Sequence, residues 1–254
     1  MQGLSDRLRL ASRRDVEQRV RDLLYFYSEE YGSAIFVGER TYTPWSLVLT
    51  QGFIESDKLG LVLRSVLFEM YRVPIIVVTG LGGLHYVVDG HHRVIVYAWL
   101  GWKIPGLTIL VPKYRPKLAK SIIGLDSVNP ADTPQELICW RHIVNTVRFL
   151  EKQYNTLARI WVETISITLL KPTQPPIPGP EPHALSLHCP PLVYKYNQEY
   201  FVIDGHHRVC REVLSSGKEV KALVFTIGNL EIGLLKTARM LGYDEFNVKY
   251  CTGG

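Results

Sequence analysis

Apolar positions in the first thirty residues recur at helical spacing, with Leu8, Val16, Val20, Leu23 and Leu24 on one face and arginines and acids on the other, which predicts an amphipathic packing helix over residues 5 to 30. Short β-rich runs follow at Ala34 to Val37 and Ser46 to Thr50, separated by Gly38-Glu39-Arg40 and by Pro44. Ser56 or Asp57 is then placed to cap a helix running to about Tyr71, whose stripe is Leu59, Val62, Leu63, Val66, Leu67 and Met70, with Pro74 marking its end. The pattern switches to strand periodicity at Ile75 to Val78, turns at Gly80-Leu81-Gly82-Gly83 and returns at His85 to Val88. After Asp89-Gly90-His91-His92-Arg93, residues Val94 to Leu100 read as a helix stopped by Gly101, and Leu107 to Val111 as a strand. A long helical pattern over residues 134 to 159 opens at Thr133 as cap, with Pro134 at the first helical position. A strand at Ile165 to Leu169 leads into the proline-rich stretch Lys171 to Pro182, which must be an extended loop.

Beyond that loop the chain repeats itself. Tyr86-Val87-Val88-Asp89-Gly90-His91-His92-Arg93-Val94 and Phe201-Val202-Ile203-Asp204-Gly205-His206-His207-Arg208-Val209 are identical at seven of nine positions and conservative at the other two. The flanks agree: Pro74-Ile75-Ile76-Val77-Val78 precedes the first turn as Pro191-Leu192-Val193-Tyr194 precedes the second, and Ile109-Leu110-Val111 follows as Leu223-Val224-Phe225 does. A whole supersecondary unit is duplicated. The expected organisation is an N-terminal helix over 1–33, a first α+β unit over 34–125, a helical connector over 126–160 and a second unit over 161–254. Each unit is expected to be a small mixed sheet with helices on one face, the two related by a pseudo-twofold axis.

Composition narrows the chemistry. With 46% apolar residues in 254, the chain has enough material for real cores. A formal charge of +5, from 29 Lys and Arg against 24 Asp and Glu, suits a nucleotide or polyanion but is too dilute to diagnose nucleic-acid binding. Cys139, Cys189, Cys210 and Cys251 lie far apart without a Cys-x-x-Cys pair, so free thiols in a reducing cytosol are expected. No apolar run reaches the roughly 18 residues of a membrane span, and the expected location is the cytoplasm. His85, His183, His188 and Cys189 match no zinc spacing. Trp45, Trp99, Trp102, Trp140 and Trp161 are core by default, although Trp99 and Trp102 follow the first turn closely enough to border a ligand.

In the repeated turn a strand delivers the chain into a glycine, and a helix then begins with its unpaired N–H groups facing the same spot, which is an anion site. Gly90 and Gly205 let backbone approach a ligand, Arg93 and Arg208 offer two-pronged guanidinium groups for phosphate oxygens, and His91, His92, His206 and His207 add donors. Asp89 or Asp204 is either a capping residue or a partner for magnesium or a hydroxyl.

This strand, Asp-Gly-His-His-Arg turn and helix resembles the phosphate turn of the ParB/sulfiredoxin superfamily, in the version found in archaeal free L-serine kinases. The likeness is confined to the unit around each copy, leaving the first 30 residues and the segment 113–160 outside it. The Gly-Glu-Arg-Arg turn usual in ParB proteins, which binds a cytidine nucleotide, and the cysteine within the sulfiredoxin turn are both missing here. The resemblance implies a glutamate upstream of the turn acting as base on the serine hydroxyl, with ATP or ADP as donor and Mg2+. The first copy offers Glu55, in Phe53-Ile54-Glu55-Ser56, with Asp89 and Arg93 beside it. The second has Gln174 where that acid is expected, and Glu181 is a poor substitute. Copy one is therefore the expected catalytic unit, while copy two binds a nucleotide, regulates, or completes a pseudo-dimeric cleft. The alternative is a ParB-like nucleotide switch engaging DNA or protein, but neither copy is followed by a helix-turn-helix with a basic recognition helix. A nuclease ranks last, since no paired-carboxylate metal site is evident.

Overall fold

A computed structural model describes residues 8–80, 82–177 and 189–253. The chain divides into two units, Met1–Asn155 and Thr156–Gly254. Glu181, His183 and His188 lie outside the described residues.

In the first unit, α1 (Arg13–Tyr31) starts later than residue 5 because Ser12 caps it, accepting from the Asp15 N–H while the Asp15 side chain accepts from the Ser12 N–H. Its chain then forms β1 (Ile35–Tyr42), β2 (Leu47–Leu49), β3 (Phe53–Glu55) and α2 (Ser56–Phe68). The Gly38-Glu39-Arg40 run does not end β1. The strand continues through a bulge at Gly38, φ +116°, a conformation that suits glycine. Helix α2 is capped by Glu55 rather than by Ser56 or Asp57, both of which are buried inside its first turn. After β4 (Ile75–Thr79), β5 (His85–Asp89), α3 (His91–Leu100) and β6 (Ile104–Leu110) come β7 (Asp126–Val128) and α4 (Ile138–Tyr154). The sheet order is β1-β6-β4-β5-β2.

Strand β4 is buried at Ile75, Ile76, Val77 and Val78 alike, so both faces of the sheet are covered. Val16, Val20 and Tyr27 of α1 pack on Ile76, Val78, Leu107 and Ile109, and α3 lies across β4 from the other side. The expectation of helices on one face does not hold for this unit.

The segment expected as a connector is integrated here. Helix α4 crosses α2 so closely that a Cβ on Gly60 would lie 2.8 Å from Trp140 Cβ. It begins at Ile138, after a 3-10 turn at Gln135–Leu137, and stops at Asn155 in the left-handed region. Its buried Arg148 donates to Glu151 at 2.7 Å and to the Ile122 and Leu125 carbonyls at 3.0 and 2.9 Å. Trp99 of α3 is a core residue, the default expectation, and donates to Glu151 at 2.6 Å. Trp102 is exposed, with the Arg72 guanidinium over its ring.

The second unit repeats the sheet. Strands β8 (Arg159–Ser166), β9 (Leu170–Lys171), β10 (Leu192–Tyr196), β11 (Glu199–Asp204) and β12 (Glu219–Thr226) are ordered β8-β12-β10-β11-β9. Every pairing direction matches its counterpart in the first unit. The strand expected at Ile165 to Leu169 is the end of β8 followed by a 3-10 turn, Ile167–Leu169. Helix α5 (His206–Leu214) follows the second turn, and α6 (Gly233–Met240) and α7 (Val248–Thr252) close the chain. Cys210 of α5 and Cys251 of α7 form a disulfide, and Cys139 and Cys189 are disulfide-bonded as well, so the expectation of free thiols fails at all four. Among the described residues no helix is long and apolar enough to cross a membrane.

Candidate functional site

Both repeated turns are built the same way. The ladder between β4 and β5 slips by one residue, so that Ile76 faces Asp89 while Val77 faces Val87, and Leu192 and Val193 slip identically against Asp204 and Val202. That bulge swings each aspartate to the strand end. Gly90 and Gly205 follow at φ +95° and +93°. At Gly90 a Cβ would lie 2.6 Å from Ile75 Cγ2 and 2.8 Å from Arg93 Nη2, so only glycine fits.

The arginines hold the turn rather than reach out of it. Arg93 is 5% exposed. Its Nη1 donates to the carbonyls of Val73, at 3.3 Å, and Pro74, while Nη2 donates to Asp89 Oδ2 at 2.7 Å. Arg208 repeats the set with the Cys189 and Pro190 carbonyls and Asp204. Three guanidinium N–H bonds are thus spent on each turn.

His91 and His206 also face inward. The Thr50 N–H donates to His91 Nε2 at 3.3 Å, and the Thr173 N–H to His206 Nε2 at 3.1 Å. Burial lowers both rings to about 4, leaving them neutral near pH 7. His92 accepts from the Glu55 N–H at 3.3 Å, and burial, reinforced by the Lys58 charge, lowers it to about 3.

Glu55, Asp89, Gly90, His91, His92 and Arg93 all line one cavity of about 240 Å3. Strand β3 carries Glu55 there by pairing in parallel with β7, Glu55 opposite Val128. As N-cap of α2, Glu55 uses its backbone for the cap geometry and makes no side-chain capping bond, which leaves its carboxylate for the cavity. The N-terminus of α3 opens on the same space, so an anion there meets first-turn backbone N–H groups. Sequence reasoning missed Arg9, Lys58 and Tyr71, which share the lining. It also missed Thr50 and Thr173, although the common spacing in Leu47-Val48-Leu49-Thr50-Gln51 and Leu170-Lys171-Pro172-Thr173-Gln174 carries the signal.

That spacing corrects one assignment. Thr173 does what Thr50 does, so Gln174 matches Gln51 and not Glu55. Five residues beyond Thr173, at Glu55's distance from Thr50, the sequence has Pro178. Nδ1 of His207 is buried without a hydrogen-bond partner among the described residues.

No group of three or more His, Cys, Asp or Glu able to hold a metal occurs among the described residues. Asp89 keeps its side chain 42% exposed beside its bond to Arg93. A single carboxylate of this kind fits Mg2+ that arrives with phosphates and keeps its waters, and does not fit an all-protein metal cage. Comparison of the chain with protein-family models, with curated proteins and with solved structures finds no match in any of the three.

Proposed function

We propose that the first unit is a nucleotide-dependent kinase that phosphorylates a small hydroxylated metabolite, with free L-serine the first candidate, ATP or ADP the donor and Mg2+ bound through Asp89. The observation that carries this reading is the convergence of Glu55, Asp89 and the N-terminus of α3 on one cavity. The Asp-Gly-His-His-Arg turn, similar to that of the archaeal serine kinases, supports it.

In this mechanism the terminal phosphates sit against the first-turn N–H groups of α3, which donate to oxygens that gain charge during transfer. Magnesium, when bound, offsets phosphate charge. Glu55 accepts the hydroxyl proton as the substrate oxygen bonds to phosphorus and the bond to the nucleoside phosphate breaks. His92 stays neutral and, by accepting the Glu55 N–H, fixes where that carboxylate begins. The second unit keeps the turn without an acid at the Glu55 place, which favours binding without transfer there.

Incubation of the full chain with ATP or ADP, Mg2+ and a panel of hydroxy compounds headed by L-serine tests the proposal. Phosphorylated product that is lost in Glu55→Gln supports it. Nucleotide binding with no product from any acceptor overturns the kinase reading in favour of a nucleotide-controlled switch.

A further inference from the structure

We propose that the cations receiving the nucleotide's phosphates are Lys58 and Arg9, not the turn arginine, and that the arm before α1 is therefore part of the site. This rests on the kinase reading only in taking a nucleotide as the ligand.

The charge balance of the cavity leads there. Glu55 and Asp89 bring two carboxylates. Arg93 is the cation nearest the turn, yet its charge is matched by Asp89 and its Nη1 is held by two carbonyls. The histidines accept hydrogen bonds at Nε2 from backbone N–H groups and bring no charge near pH 7. A di- or triphosphate, with several negative charges, must find its cations elsewhere.

Lys58 lies in the first turn of α2, where the helix dipole disfavours a cation. It makes no ion pair among the described residues and stands close enough to His92 to oppose its protonation. A half-buried lysine against the dipole, without an ion pair among the described residues and lining the same cavity as two carboxylates, is arranged for an anion that comes and goes. Arg9 reaches the same cavity from the arm. Tyr71 anchors that arm by donating to the Ala11 carbonyl at 2.9 Å, and among the described residues Arg9 pairs with Asp15 alone, at 3.2 Å with 65% of its side chain exposed. Such an exposed pair is weak enough for a phosphate to displace Asp15.

The test is calorimetric titration of the full chain with Mg2+ plus ADP, ATP or inorganic pyrophosphate, alongside Lys58→Ala, Lys58→Arg and Arg9→Gln, with thermal melts confirming folding. The stoichiometry separates any second site at the other turn. Loss of one charge-assisted contact predicts affinity about tenfold to a hundredfold weaker for all three ligands in Lys58→Ala, largely restored in Lys58→Arg, with a smaller loss in Arg9→Gln. Affinities unchanged in both Lys58→Ala and Arg9→Gln, or no binding of any of the three ligands by the unaltered chain, overturn the inference. Product formation with Lys58-independent affinity sinks this inference and leaves the kinase standing. Lys58-dependent pyrophosphate binding without product from any acceptor does the reverse.

Discussion

Thr50 ties the end of β2 to the start of α3: its N–H donates to His91 Nε2 at 3.3 Å and its hydroxyl to the Val87 carbonyl at 2.7 Å. Thr173 makes the same two bonds in the second unit, to His206 at 3.1 Å and to the Val202 carbonyl at 2.6 Å. The first histidine of each turn is thus a structural acceptor. His91→Ala orphans a backbone donor and is expected to cost about 1 to 3 kcal/mol, read as an earlier unfolding transition in urea. An unchanged midpoint would show that water replaces the ring at no cost.

The same burial sets an acid limit. His91 and His206 are lowered to about 4 and His92 to about 3, against an ordinary value of 6.5. Above 6.5 the rings are neutral in both folded and unfolded chains and their contribution is constant. Below 6.5 the unfolded chain binds protons that the folded chain refuses, so stability falls as pH drops from 6.5 toward 4. The slope is up to about 1.4 kcal/mol per pH unit for each ring. Denaturant midpoints across pH 7 to 4 measure it, and a flat profile would contradict the buried, neutral assignment.

Gly90 and Gly205 share their φ but not their surroundings. A Cβ at Gly90 meets Ile75 Cγ2 at 2.6 Å as well as the Arg93 guanidinium, whereas at Gly205 the nearest atoms all belong to the Arg208 guanidinium. Gly90→Ala adds a core clash to backbone strain of about 1 to 3 kcal/mol, so it is expected to destabilise more than Gly205→Ala. Equal losses in thermal melts would place the whole cost in the backbone.

Arg148 and Glu151 are both buried, and Glu151 also accepts from Trp99. Arg148→Met leaves a buried carboxylate without its cation and is expected to cost about 3 to 5 kcal/mol. Adding Glu151→Met should return part of that loss. A double variant less stable than Arg148→Met would show that the carboxylate's other bonds outweigh its charge.

The Cys210–Cys251 bond closes a loop with a sequence separation of 41. Chain-entropy arguments give about 4 kcal/mol for a loop of that length. Replacing Cys210 and Cys251 with serine should lower the unfolding transition of the second unit. If that transition stays put, α7 is held by its packing alone, including Phe246 and Tyr250 in the same cluster.

What the sequence determined by itself was local and repeated. Seven identities in nine marked the duplicated turn, and short apolar runs placed the strands on either side of it. Glu55 was legible as an acid at the head of a helix. The rest depended on contacts between distant residues, which leave no period in the chain. Glu55 is carried to the cavity by the parallel pairing of β3 with β7, a strand more than seventy residues further along the chain. Packing turned Arg93 from a phosphate grip into a brace, because the Val73 and Pro74 carbonyls and Asp89 needed its donors once buried. Only tertiary structure brought Lys58 and Arg9 beside the turn: one comes from the helix after β3, the other from an arm anchored by Tyr71.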